Sequence, residues 1–231
     1  MFAHKYIPVA AIAVLLAACT LPAALRHAGQ AGAPERPPSG ARVYRIDGAQ
    51  SELRVLVYRA GALAQFGHDH VLVNRALNGW VAVTPPATAV AFLVSVPAAA
   101  FLVDDAEARR SEGADFAEAV SEEAKAGTRQ HMLGAAVLDA ARFPSIVVHG
   151  ARIAGSAPTV TATATIRIAG HVATIAIPCR VDLGPRRLSV SADFGLRQTA
   201  LGLTPYSALL GALSVRDQMR VKVKIVAVTG Q

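Results

Sequence analysis

Two histidines separated by one residue stand out in the run Phe66-Gly67-His68-Asp69-His70. On an extended strand, residues two apart point to the same side, with Cα atoms roughly 6.5–7 Å apart. His68 and His70 can then converge on one divalent metal, and His131 can supply a third imidazole. Three protein ligands plus an open position is the usual composition of a catalytic zinc centre. No HExxH or Cys–His spacing accompanies them, and the alternative is a polar turn in which His and Asp satisfy backbone groups. His149 and His171 are isolated and read as structural. Cys179 falls on the apolar phase of its segment, where a thiol serves as a small core residue. There is no G-x-S-x-G elbow, phosphate-cradling glycine loop or dinucleotide fingerprint. The expectation is therefore a binding protein rather than an enzyme, with no cofactor beyond a divalent metal on the histidines.

The elements that would carry these residues announce themselves by alternation. Val160, Ala162, Ala164, Ile166 and Ile168 alternate with Thr161, Thr163, Thr165 and Arg167. Beyond Gly170, Ala173, Ile175, Ile177, Cys179 and Val181 continue the apolar phase. Leu188, Val190, Ala192 and Phe194 repeat it, as do Met219, Val221, Val223 and Ile225, and Leu53, Val55 and Val57 begin it near the N-terminus. A period of two puts one face in a core and the other in water. Strands at this spacing, divided by Gly and Pro turns, imply an all-β barrel or sandwich. The uncharged run Ala76–Val103 is long enough to span a bilayer. Pro85, Pro86 and Pro97 interrupt it, however, and two buried strands joined at Thr84-Pro85-Pro86 explain it better.

The alternation breaks at about residues 104–140. Phe116, Val120 and Ala124 recur at helical spacing, Gly127 is expected to end that run, and Thr128 to cap a second short helix sharing Met132 and Ala136 on one face. The same stretch concentrates negative charge, with eight acids against Arg109 and Arg110 between Asp104 and Glu123. Elsewhere beyond residue 18 stand 20 basic and 8 acidic residues. Such a surface is drawn to anionic headgroups or phosphates, or simply keeps the protein soluble. No nucleic-acid-binding motif is present.

The N-terminus has the layout of an export signal: His4 and Lys5, then an uncharged stretch from Tyr6 to Leu25. Leu16-Ala17-Ala18-Cys19 looks like a lipoprotein processing site, which implies lipidation at Cys19 and attachment to the periplasmic face of a membrane. The alternative is ordinary secretion with a plain thiol. The chain then divides into a signal peptide (1–18), a Pro- and Gly-rich tether (19–42) and one domain (43–229) carrying the helical insertion. Cys19 and Cys179 are the only cysteines, so no disulfide framework stabilises that domain.

Several segments, taken together, resemble the YceI-like family of bacterial periplasmic proteins, also called polyisoprenoid-binding. They are Tyr44-Arg45-Ile46-Asp47 with Ser51, Phe143-Pro144-Ser145-Ile146, the run Thr165-Ile166-Arg167-Ile168-Ala169-Gly170, Asp193-Phe194-Gly195-Leu196 and Val215-Arg216-Asp217. The likeness extends from about Val43 to Val228. The resemblance implies a lipocalin-like antiparallel β-barrel whose bore holds an isoprenoid-like or other long-chain lipid. Phe92, Val94, Ala164, Ile166, Ile177 and Val223 are the expected lining. The other reading is a packed core, with insertion side chains such as Phe116 filling that volume.

Overall fold

The alternating segments become strands whose apolar phase is turned inward. In the computed structural model, residues 36–84 and 89–230 are described. Cys19 and the Pro85-Pro86 turn lie outside the described residues. In chain order the strands are β1 (Arg42–Ile46), β2 (Glu52–Val57), β3 (Arg59–Ala60), β4 (His70–Asn74), β5 (Asn78–Thr84), β6 (Ala89–Pro97) and β7 (Leu102–Val103). Helices α1 (Ala106–Ser111) and α2 (Glu122–Leu133) follow. The chain finishes with β8 (Ser145–Ser156), β9 (Thr159–Ile168), β10 (His171–Leu183), β11 (Arg187–Arg197), β12 (Ser207–Ala208), β13 (Leu213–Val215) and β14 (Gln218–Thr229).

Eight strands close an antiparallel barrel in the order β1-β5-β6-β8-β9-β10-β11-β14, with β14 returning to β1. β14 serves two neighbours along one edge. Its first half, Arg220–Lys224, pairs with β2, from which β4 and β7 continue; Ala227–Thr229 pair with β1. The changeover sits at a 3-10 turn, Gly48–Gln50, held by a buried hydroxyl. Ser51 Oγ donates to the Asp47 carbonyl at 2.7 Å and accepts from the Val226 N–H at 3.0 Å. Ser51 is 2 % exposed, so these bonds are what makes its burial tolerable. On the far wall, β8 bulges between His149 and Arg152. A Cβ at Gly150 would lie 2.7 Å from the Phe92 ring, so only glycine lets that ring lie against the strand.

Tyr44 crosses one end of the barrel, donating from its hydroxyl to the Gly184 carbonyl at 2.9 Å. Its ring packs with Val81, Val83, Leu188 and Ala227. Tyr44→Phe keeps the ring and removes this bond. We expect a loss of about 1 kcal/mol in urea unfolding, with the slope unchanged.

The helical insertion is built differently from its sequence expectation. Phe116 belongs to a separate 3-10 turn, Ala114–Phe116, and packs with Leu56, Val71, Val73 and Ala108. Leu56 pairs with Val71, and both point away from the bore, so Phe116 covers the outside of the sheet instead of filling the barrel. α2 starts at Ser121, whose side chain accepts from the Ala124 N–H, and runs through Gly127 and Thr128 to Gly134. A glycine inside a helix costs roughly 1 kcal/mol relative to alanine. The Ser121 cap, the Glu122 and Glu123 charges at the positive N-terminal end, and the packing of Met132 and Leu133 offset that cost. Met132, Leu133 and Leu138 join the interior cluster with Val94, Ile168 and Met219, so α2 closes the end opposite Tyr44. The Arg129 guanidinium pins it there by donating to the carbonyls of Ala99 and Phe101.

Candidate functional site

The inner face is apolar without interruption on four consecutive strands. β9 contributes Val160, Ala162, Ala164, Ile166 and Ile168; β10 contributes Ala173, Ile175, Ile177, Cys179 and Val181. β11 and β14 add Leu188, Val190, Ala192, Phe194, Met219, Val221, Val223 and Ile225. Charged residues on these strands, among them Arg167, Arg180, Asp193 and Lys222, occupy the other phase. The interior is therefore a surface on which a polar or ionised group finds almost no partner.

This face is not sealed throughout. Ile175, Ile177, Val190, Ala192, Phe194 and Val223 remain half-buried although they point inward, as do Phe92 and Val148 across the barrel. Inward side chains of a filled barrel lose nearly all their exposure. Half-burial of these inward-pointing residues leaves part of each uncovered by its neighbours. The six lining residues named from sequence all point inward, but they divide. Phe92, Ile177 and Val223 are half-buried, whereas Val94, Ile166 and Ala164 are 7 %, 8 % and 0 % exposed and lie beneath their neighbours.

The histidines are placed differently from their expected arrangement. β4 begins only at His70, so His68 stands before the strand, and the two rings meet edge to face with centroids 6.2 Å apart. His70 pairs with Val57 and points inward at the end closed by α2. Its Nδ1 lies 2.6 Å from Asp104 Oδ2, and its Nε2 lies 3.3 Å from Thr128 Oγ1 on α2. His131 lies elsewhere, its ring stacked on Tyr206 at 4.6 Å. Among the described residues no three His, Cys, Asp or Glu side chains gather as a metal site would require. His68 and His70 remain a pair of donors, and His131 does not complete them.

What sequence reasoning missed is the group behind His70. The Asp104 side chain has no exposure, and its Oδ1 accepts from the Val71 N–H at 2.9 Å and from Arg109 at 2.6 Å. Arg109, itself 6 % exposed, also donates to the carbonyls of Asp69 and Glu118 and lies over the Phe116 ring. Burial alone would raise the Asp104 pKa. The hydrogen bond from His70, the Val71 N–H and Arg109 outweigh it and hold the carboxyl below its ordinary value. In sequence Asp104 is merely the first charge after the long uncharged run, and nothing there separates it from Asp105, which caps α1.

Cys179 is buried, and burial pushes its thiol pKa up, so it stays protonated and donates to the Ile177 carbonyl at 3.3 Å. Burial, followed by the nearby Arg167 charge, lowers the pKa of His149 on the outer face.

Two solved structures share this architecture. Burkholderia cenocepacia BcnA superposes with a TM-score of 0.57 at 15 % identity, covering 79 % of this chain and 99 % of its own. A mutant CJ YCEI protein made for nanotechnology applications gives 0.50 at 11 % identity, covering 69 % and 85 %. At these identities the likeness speaks for the fold alone. No curated protein matches the sequence. The family model described as the YceI-like domain matches residues 44–227, from the tyrosine that crosses one end of the barrel to the closing strand. The chain belongs to the YceI-like family.

Proposed function

We propose that this protein binds a long apolar or amphiphilic chain, an isoprenoid-like lipid, inside its barrel and sequesters or carries it without chemical change. The observation that carries this reading is the uninterrupted apolar inner face with half-buried residues such as Ile177, Ala192 and Val223 along it. Membership of a family of barrel proteins agrees with a hydrophobic ligand. An acylated Cys19 would hold the domain at the periplasmic face of a membrane, where such ligands reside.

Magnitudes set the kind of chain. Each buried methylene contributes about 0.8 kcal/mol, so ten supply about 8 kcal/mol before the cost of ordering the ligand. Micromolar binding needs about 8.2 kcal/mol net, so a useful ligand is longer than ten carbons. Titration with a fluorescent long-chain isoprenoid or fatty-acyl probe should saturate at micromolar concentration or below. Unlabelled chains should displace it in order of length. A probe that never saturates, or displacement indifferent to chain length, would count against a bore and in favour of a packed core.

A further inference from the structure

Positive charge is distributed unevenly between the two ends of the barrel. Around the acidic insertion and the strands beneath it, several arginines and lysines are paired, Arg54 and Lys222 with Glu112, Arg75 with Glu52 and Arg109 with Asp104, while Arg110 and Arg197 stand exposed. At the end where β1 begins and β10 turns into β11, Arg42, Arg45, Arg180, Arg186 and Arg187 are all exposed. Among the described residues none of these five makes an ion pair with a carboxylate, and Arg187 instead donates to the Gln50 side chain at 3.0 Å. Asp182 and Asp47 are the acids nearby, and Asp47 is engaged by the Ala49 N–H and the Gln50 amide.

Apolar side chains stand among these arginines. Arg187 pairs with Val228 and Val228 with Arg45, so the three form one cross-strand row on the outer face. Val228 is 36 % exposed, and Leu183, paired with Leu188 on the inward phase at the mouth of the barrel, is 41 % exposed. Cations flanking protruding aliphatic groups match the headgroup layer of an anionic bilayer: phosphates for the guanidinium forks, the acyl boundary for Leu183 and Val228.

We propose that this arginine-edged end of the barrel docks on anionic lipid bilayers. The docking follows from charge and exposure at this end of the barrel and stands whether or not the interior takes up a ligand. One basic residue at such a surface strengthens binding about fivefold. The test uses the full chain carrying Cys19→Ser, so that no acyl group attaches, sedimented with phosphatidylcholine vesicles or with vesicles one-third phosphatidylglycerol. Binding should require the anionic lipid and weaken as salt is raised. Arg186→Ser with Arg187→Ser should reduce it about 30-fold. Arg110→Ser with Arg197→Ser removes equal charge from α1 and from the far end of β11, and should leave binding within about twofold, because those sites lie beyond a Debye length of the docked surface. Equal binding to both kinds of vesicle, equal loss in both double variants, or binding to duplex DNA but not to anionic vesicles would each overturn the proposal.

Discussion

Asp104→Ala should destabilise the fold by about 3–5 kcal/mol, because it leaves a buried guanidinium without its counter-charge. Arg109 is 6 % exposed and cannot swing into water without dragging α1 and the Phe116 turn from the outer face of β2 and β4. The same change frees the Val71 N–H and releases His70 from its 2.6 Å contact. Urea unfolding at neutral pH reads the loss directly. The wild type should also show a matching acid response. The Asp104 pKa is held below its ordinary value, so its contribution is fully present above pH 4 or so and is lost as pH falls through the lowered folded value. The Asp104→Ala variant lacks that contribution at every pH, so its stability should fall less steeply in acid. A variant as stable as wild type at pH 7 would mean that Arg109 finds solvent or another partner at little cost.

The second large effect concerns the bore. Ala164 is one of the lining residues expected from sequence, but its complete burial makes Ala164→Phe a test of overpacking rather than of binding. Ala192 is the better choice. It points inward, stands opposite Val223 and is half-buried. A phenyl ring there occupies the surface a lipid chain would cover, and Ala192→Phe should weaken probe binding at least tenfold while the unfolding midpoint changes little. If the interior were already full, the same ring would cost about 1–3 kcal/mol. A stability loss of that size with no change in probe binding is the opposite outcome, and it would place the ligand elsewhere.

Much of the barrel was legible because alternation leaves few choices. Once Ile166 faces the core, Thr165 and Arg167 must face out, and pairing carries that phase across β10, β11 and β14. The run Val71-Leu72-Val73 is apolar on both phases, and only the fold reveals why: α1 and Phe116 cover the outer side of β4. Gly127 and Thr128 misled because their local preferences for ending and capping a helix were outweighed by the Ser121 cap and by Met132 in the interior. The division of the lining into sealed Ala164 and half-buried Ala192 was not legible at all. Both are inward alanines on alternating strands, and only the folded packing separates them, Ala164 fully buried and Ala192 half-buried. His68 and His70 do stand together, their rings 6.2 Å apart, but His131 does not join them. His70 turns to Asp104 and Thr128, whereas His131 turns to Tyr206.

Native mass spectrometry of the full chain, purified without detergent exchange and compared before and after organic extraction, separates a lipid-filled bore from a packed core. The expected result is an added mass removed by extraction, identified as a lipid with an apolar chain longer than ten carbons, and regained on incubation with that lipid. Protein that carries no extractable mass and takes up no lipid when long-chain isoprenoid and fatty-acyl compounds are supplied would contradict it.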